Sequence, residues 1–379
     1  IPLMKSIGYK SEFAAAVEAA ASTGGQLMPP IMGAAAFVMS QFIGIAYIHI
    51  AIAAALPAIL YYLAVGLMVH YEAKRLGLKG IPKERLPDVK KVLAAGWHLL
   101  LPLFVIVYLL VQGYTPLRAA FVCIIVTVVV AMMSKNTRLN LKDIFEALEN
   151  GARSAVGVSA ACACAGIIIG VVTLSGVGLK IANGIVVLSG GSFFMTLFLT
   201  MIASIILGMG LPTTAKYIVL ASMAAPAIMK FGVPIMAAHL FIFYFGIIAD
   251  LTPPVALAAY AGAGIAGADP VKTGMTGLKL AMAGFMIPYI FAYNPALLLI
   301  DTNVGEILLI IVTSLLGAFA LALAGSGFWK RKLHLIERAL FLAAAVTLIF
   351  PGVVTDGIGL AILVGMWFLQ KRGQTGTPA

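Results

Sequence analysis

Three short polar segments interrupt an otherwise apolar chain, and each carries groups that could bind an ion. The segments are 22–30 (STGGQLMPP), 208–217 (GMGLPTTAKY) and 250–254 (DLTPP). Glycine permits unusual backbone angles and proline removes a donor, so both leave carbonyl oxygens without helical partners. Together with the hydroxyls of Thr213 and Thr214, these carbonyls are neutral ligands of the kind that hard cations accept. The pattern indicates ion or substrate chemistry at breaks in the backbone.

The elements around these segments are long apolar stretches. The chain has 379 residues, of which 62% are hydrophobic and 10% are charged, too little charge to cover a soluble domain of this length. Apolar runs near the 20 residues that a spanning helix needs recur along it. They cover roughly 45–70, 93–112, 117–133, 158–179, 191–208, 276–299, 305–325 and 339–370. The sequence therefore predicts an all-α polytopic membrane protein.

The net charge of +11 lies mainly between the apolar runs. Basic residues concentrate in 71–92, 135–153, 330–338 and the C-terminal tail. Short loops rich in Lys and Arg stay on the cytoplasmic side, and a turn at Pro351-Gly352 would bring the last two groups to one side. The distribution of the basic residues is therefore interpreted as a signal for membrane topology and not as a nucleic-acid binding surface. The cysteines Cys123, Cys162 and Cys164 lie in apolar runs, which predicts packing and no metal site.

An internal repeat links two of the polar segments. QLMPPIMGAA at 26–35 aligns with DLTPPVALAA at 250–259, and the offset of 224 also relates Pro2 to Pro226 and Gly8 to Gly232. Each Pro-Pro pair separates two apolar pieces too short to span, which predicts two re-entrant helical hairpins. The segment 208–217 is predicted to be a broken helix. Its counterpart at the same offset would precede Ile1, so we expect an N-terminally truncated chain.

Ionisable residues at membrane depth are functional candidates, because a buried charge needs a partner. Asp250 could be a cation ligand, a proton carrier or a helix cap, and Glu18 is a second protonation candidate. Lys216 could attract an anion, pair with Asp250 or extend to the membrane interface. His98 and His239 are interpreted as packing residues. Half-helices that begin at Ile31 and Val255 would offer backbone N–H groups to a carboxylate.

The motifs at 19–37, 208–219 and 249–270 resemble the large membrane subunit of tripartite ATP-independent periplasmic (TRAP) transporters. The chain is most similar to fused permeases that work with a TAXI-type solute-binding protein, over roughly residues 1–300. The resemblance implies an inverted-repeat, elevator-type transporter in the bacterial or archaeal cytoplasmic (inner) membrane. It also implies import of organic acids such as dicarboxylates by Na⁺ or H⁺ symport, with no other cofactor.

The resemblance also implies partners and a division of the chain. The partners are a periplasmic solute-binding protein, small-subunit-like helices that are fused or separate, and membrane lipids. Residues 1–44 would form the first hairpin and 45–150 scaffold-type helices. Residues 151–300 would form the second repeat with its broken helix and hairpin, and 301–379 additional C-terminal helices.

Site residues carried over from the family fall into two groups. Candidates for substrate binding are Ser22, Thr23, Gln26, Thr213, Lys216 and Thr252. Candidates for cation binding or coupling are Glu18, Gly24, Gly25, Gly208, Gly210, Thr214 and Asp250. Na⁺ at the hairpin tips is the predicted metal, and no transition-metal site is predicted.

Three other functions compete with the tripartite permease. A stand-alone ion-coupled organic-anion transporter, without a binding protein, is the main alternative, and only the resemblance separates it from the tripartite form. A membrane enzyme is disfavoured because clustered carboxylates or histidines, a His-Glu-x-x-His motif and a Gly-x-Ser-x-Gly elbow are all missing from the sequence. A channel stays open, although repeated broken segments fit alternating access better.

Overall fold

The computed structural model describes residues 1–81, 86–134, 137–349 and 352–372. Lys83, Arg85 and Lys135 of the predicted basic loops and Pro351 of the predicted turn lie outside these ranges. Within them the regular structure is helical, apart from one isolated bridge between Phe328 and Lys332. The predicted all-α membrane fold is confirmed.

The helices of the first half are α1 (Pro2–Ser6), α2 (Ser11–Gly25), α3 (Ala34–Ile43), α4 (Tyr47–Leu76), α5 (Val89–Gly96), α6 (Leu101–Val111), α7 (Pro116–Ala131), α8 (Leu141–Ser175) and α9 (Val177–Leu188). Those of the second half are α10 (Phe193–Gly208), α11 (Thr213–Met223), α12 (Ala225–Met229), α13 (Ile235–Ile248), α14 (Leu257–Ala266), α15 (Pro270–Leu280), α16 (Met282–Tyr293), α17 (Val304–Ser326), α18 (Leu335–Ile349) and α19 (Val353–Arg372).

Six helical spans in the described ranges are long and apolar enough to cross a membrane. They are Tyr47–Leu76, Val89–Val111, Leu141–Ser175, Pro270–Tyr293, Val304–Ser326 and Val354–Lys371. Side-chain caps start several of them, because the first N–H groups of a helix lack intrahelical partners. Asn140 and Asp143 form a capping box at α8, Asp269 accepts from Lys272 N at α15, and Asn303 accepts from Glu306 N at α17.

The first Pro-Pro segment crosses the membrane and does not double back. α4 has 30 residues and is therefore about 45 Å long, enough to span the bilayer. Arg75, near its C-terminus, lines a cavity together with Lys10, which precedes α2. Its N-terminal residue Tyr47 donates to the Pro30 carbonyl oxygen at 2.7 Å. The chain from Lys10 to Tyr47 has therefore passed from one side to the other, and α2 and α3 form one discontinuous helix.

The end of the bundle where Lys10, Arg75, Lys272 and Arg338 lie together is here called the basic face. The positive-inside rule predicts that it is cytoplasmic. α15 starts at this face, and α15 and α16 form one span, so Tyr293 lies at the opposite face.

The second Pro-Pro segment crosses in the reverse direction. α13 runs antiparallel to α16, since Ile248 packs on Gly284 while the Tyr244 and Phe291 rings lie 5.7 Å apart. After the break, α14 continues to the basic face, where the Ala266 carbonyl oxygen accepts from Lys5 Nζ at 2.6 Å. α13 and α14 are thus a second discontinuous helix, antiparallel to the first.

The re-entrant hairpin is formed by α10 and α11. α10 begins at the opposite face, where the Phe193 ring lies 4.8 Å from that of Tyr293. It descends to Gly208, which packs against Gly246 of α13. The chain then returns, so that the Phe231 ring lies 5.5 Å from that of Phe193. The two Pro-Pro segments, predicted to be re-entrant hairpins, are therefore discontinuous helices, and the segment 208–217, predicted to be a broken helix, forms the tip of a hairpin.

The two Pro-Pro breaks share one local backbone structure. Met32 N–H donates to the Met28 carbonyl, and Ala256 N–H donates to the Thr252 carbonyl, at the same offset of 224 residues. Met32 and Ala256 both have positive φ, at 53° and 33°, which is uncommon for residues other than glycine. This equivalence supports the repeat inferred from the sequence, and the antiparallel directions give it the inverted form.

Thiol labelling from the two sides of a membrane tests the crossing. Single cysteines at Lys10 and Ala46, both exposed, would be placed in a chain whose Cys123, Cys162 and Cys164 are replaced by alanine. We expect a membrane-impermeant maleimide to label the two positions from opposite sides of sealed vesicles. Labelling of both positions from the same side would contradict the crossing and support a re-entrant hairpin.

Candidate functional site

The three predicted polar segments converge at one cavity of about 490 Å³. It lies where the break between α2 and α3, the tip between α10 and α11, and the break between α13 and α14 meet. The residues that line it are Ser22, Thr23, Gln26, Gly210, Leu211, Pro212, Thr213, Asp250, Leu257 and Ala258. Elements that are remote from one another in sequence thus build a single site.

A hydrogen bond joins the first discontinuous helix to the hairpin tip. Thr213 Oγ1 donates to Gln26 Oε1 at 2.7 Å, and both residues line the cavity. The remaining donors of the Gln26 amide and the lone pairs of Thr213 stay available for a solute. The pair therefore holds the two elements together while presenting polar atoms to the cavity.

An ion pair joins the hairpin to the second discontinuous helix. Lys216 Nζ donates to Asp250 Oδ1 at 2.7 Å, and the Lys216 side chain is only 1% exposed. Of the three roles predicted for Lys216, the structure therefore shows the ion pair with Asp250. The buried position of the side chain excludes its extension to the membrane interface. Asp250 keeps 15% exposure and lines the cavity, so its carboxylate is the charged group that a solute or cation meets.

Close packing or backbone conformation constrains three of the four glycines predicted to bind a cation. A Cβ atom on Gly24 would lie 2.5 Å from the Tyr61 ring, and one on Gly208 would lie 3.3 Å from Gly246 Cα. Gly210 has φ of 74°, a conformation that favours glycine at the hairpin tip. Gly25 has more room, since a Cβ atom there would lie 3.8 Å from the Tyr62 hydroxyl.

The other predicted site residues lie at or near the cavity but differ in role. Thr252 Oγ1 donates to the Ile248 carbonyl at 3.0 Å and closes the end of α13. Thr214 is buried and does not line the cavity. Glu18 accepts from Ser22 Oγ at 3.3 Å on an exposed part of α2, outside the cavity.

The two histidines do not line the cavity. His239 Nδ1 lies 2.7 Å from the Tyr217 hydroxyl in a buried pair, as expected of a packing residue. His98 is buried in the 3-10 turn Trp97–Leu100, and within the described residues its Nε2 has no hydrogen-bond partner.

Tyrosines that the sequence patterns did not single out hold the broken backbone. Tyr61 and Tyr62 of α4 donate to the carbonyls of Ala20 and Ala21 at 2.9 and 2.8 Å. In the second repeat, Tyr260 donates to the Pro254 carbonyl at 2.7 Å, as Tyr47 does to Pro30. A tyrosine inside an apolar helix needs a partner for its hydroxyl, and this is the signal that could have pointed to them.

The cavity combines two chemistries. Its hydroxyl, amide, carboxylate and carbonyl oxygens suit a cation, and α11 and α14 begin at its wall with Thr213 and Leu257. The first N–H groups of a helix have no intrahelical partner and carry partial positive charge, which suits an anion. Within the described residues, no group of three His, Cys, Asp or Glu side chains could hold a metal ion.

Interrupted, antiparallel helices around a polar cavity inside a membrane-spanning bundle define a membrane transport protein. The family model described as "Tripartite ATP-independent periplasmic transporter, DctM component" matches residues 1–305, and the chain belongs to this family. A comparison with curated proteins finds no match. Membership of this family makes the chain a multi-pass transporter component and not an enzyme. Its family implies a periplasmic binding protein and a small subunit as partners.

Removing one member of the buried ion pair is expected to destabilise the protein. Lys216→Met leaves the Asp250 carboxylate without a counter-charge and should lower the free energy of unfolding by about 3–5 kcal/mol. The double variant Lys216→Met/Asp250→Leu should lose markedly less of this free energy of unfolding. Denaturant unfolding of the purified protein measures both, with exposed Lys180→Met as control. Equal losses in the single and double variants would show that the pair is not coupled.

Neighbouring glycines of α2 offer a matched test of packing. Gly24→Ala forces a methyl group onto the Tyr61 ring and should cost about 1–3 kcal/mol of stability. Gly25→Ala meets no such contact and should be neutral or stabilising by up to about 1 kcal/mol, since alanine favours the helix. Thermal unfolding compares the two. A tolerated Gly24→Ala would contradict the close approach of α2 and α4.

Proposed function

We propose that the chain is the permease of an ion-gradient-driven secondary transporter that imports organic acids delivered by a periplasmic solute-binding protein of the TAXI type. The observation that carries this proposal is the cavity where Gln26, Thr213 and Asp250 meet from three interrupted elements. Such breaks at corresponding positions of two repeats are typical of transporter binding sites.

A carboxylate substrate is supported by the polarity of the cavity wall. The N-terminus of α11 at Thr213 and that of α14 at Leu257 both face the cavity. The Lys216 ammonium group lies behind Asp250 and offsets its negative charge, which lowers the electrostatic cost of admitting an anion. Ser22, Thr23 and Gln26 add neutral donors on the other wall.

The coupling ion is Na⁺ or H⁺ in this proposal, and the two act through different atoms. Na⁺ would use the neutral oxygens of the breaks and the hairpin tip together with Asp250. H⁺ would use the Asp250 carboxylate, or Glu18 outside the cavity. Lys216 already occupies one side of Asp250, so either ion would approach from the cavity side.

Alternating access is proposed to follow an elevator movement. The elements that build the cavity, α2–α3, α10–α11 and α13–α14, would move together as a transport domain. The long helices α4 and α17, which pack on each other, would form part of the scaffold. The small subunit would support the scaffold, and the binding protein would dock at the face opposite the basic one, in a bacterial or archaeal inner membrane.

Uptake by proteoliposomes tests the function and the coupling ion. The permease, its small subunit and its binding protein would be supplied with a labelled dicarboxylate under a Na⁺ gradient or a proton gradient. We expect uptake under one gradient and only with the binding protein. Uptake without the binding protein would favour the stand-alone transporter, and equal uptake without any gradient would favour a channel.

Substitutions at the cavity wall should lower that uptake. Thr213→Val removes the hydrogen bond to Gln26 at nearly constant volume and should cost about 1 kcal/mol, or about fivefold in uptake. Asp250→Asn should reduce uptake further, because it removes the charged group in the cavity. Thr127→Val on the exposed side of α7 is the control. Wild-type uptake in both cavity variants at normal expression would remove these residues from the site.

A further inference from the structure

A second cavity, of about 550 Å³, opens at the basic face. It lies between the start of α2, the helix α15, the end of α4, and the junction of α17 and α18. The basic side chains that line it are Lys10, Arg75, Lys272, Lys279 and Arg338, and the acidic ones are Glu12 and Glu72. None of these residues lines the cavity at the backbone breaks.

The basic side chains of this cavity are only partly neutralised. Arg75 forms an ion pair with Glu72, and Arg338 donates to the carbonyls of Ala324 and Gly325. Those carbonyls end α17 and bring no full negative charge.

Three lysines of the cavity have no partner for their ammonium groups. In the part of the chain that the structure describes, Lys10, Lys272 and Lys279 have no hydrogen bond or ion pair from their side chains. Glu12 is the one acidic side chain in the lining besides Glu72. The cavity therefore carries a clear excess of positive charge, and the like charges disfavour one another until an anion enters.

The lining of the cavity is also partly apolar. Phe13, Met68, Met275 and Leu280 line it together with the charged side chains. Basic pockets between membrane helices at the cytoplasmic side have the electrostatic character that anionic headgroups require. Several ammonium and guanidinium groups in the lining of one cavity suit a phosphate group, which accepts hydrogen bonds from several donors at once.

We propose that this cavity is a phosphate-binding site, occupied by the phosphate of a lipid headgroup or by a free phosphate. An occupant would contact α2 and α15 on one side and α4 and α18 on the other. It would therefore tie the helices next to the Pro-Pro breaks to the long helices beside them. The site depends on the lysines of the cavity and not on any transport activity.

Thermal unfolding of the purified full chain in an uncharged detergent tests for free phosphate. Inorganic phosphate at constant ionic strength should raise Tm saturably by about 2–5 °C. Lys272→Gln with Lys279→Gln should weaken the apparent affinity at least about tenfold, because two unpaired cations are lost. Lys90→Gln with Lys91→Gln, also exposed cations but outside the cavity, should leave it unchanged.

Vesicles distinguish the lipid source. The same variants would be reconstituted in phosphatidylcholine with increasing phosphatidylglycerol, and Tm would be measured by intrinsic fluorescence. Stabilisation by phosphatidylglycerol but not by inorganic phosphate, lost in the Lys272/Lys279 variant alone, identifies a lipid headgroup site. Stabilisation by inorganic phosphate alone identifies a free-phosphate site. Absence of both effects, or equal loss in the Lys90/Lys91 control, overturns the proposal.

Discussion

The structure depends on one constraint: a backbone that is broken inside a membrane must have its polar groups satisfied by protein, because the lipid offers no partners. At both Pro-Pro breaks a tyrosine hydroxyl meets the second proline's carbonyl, from Tyr47 to Pro30 and from Tyr260 to Pro254. Tyr61 and Tyr62 bond the carbonyls of the last turns of α2. Carbonyls held in this way permit a cavity at mid-membrane without unfolding of the helices around it.

The sequence predicts which segments are interrupted, but not the direction in which the chain continues. Two short apolar pieces around a Gly or Pro break fit either a hairpin or a discontinuous crossing, since the length of each piece is the same in both. The direction is decided by packing that is remote in sequence, such as Gly208 against Gly246 and Gly262 against Ala15. The repeat itself is readable, because identical residues recur at an offset of 224, and the structure adds equivalent hydrogen bonds at Met32 and Ala256.

For the candidate site, too, the sequence predicts which residues take part but not how they are arranged. Residue types at the breaks predict Gln26, Thr213 and Asp250 as cavity residues, and all three line it. The sequence does not predict which of the site residues pair with one another. It is compatible with three roles for Lys216, and only the arrangement of α11 beside α13 selects the ion pair with Asp250. The sequence predicts ion binding at the glycines, and the structure shows that Gly24 and Gly208 also allow helices to approach closely. A glycine in a sequence is compatible with ion binding and with close helix packing, and the sequence alone does not distinguish the two.

The two breaks are fastened differently, and this gives the site a built-in asymmetry. Tyr47 reaches Pro30 from the following long helix α4, whereas Tyr260 reaches Pro254 from α14, the half-helix that the same break begins. The second break is therefore held by a hydrogen bond within its own discontinuous helix. The first can part from α4 only by losing the hydrogen bonds of three tyrosines. In the proposed elevator movement, the Pro253-Pro254 break can therefore travel with its tyrosine bond intact, whereas the Pro29-Pro30 break must exchange its bonds to the scaffold helix α4.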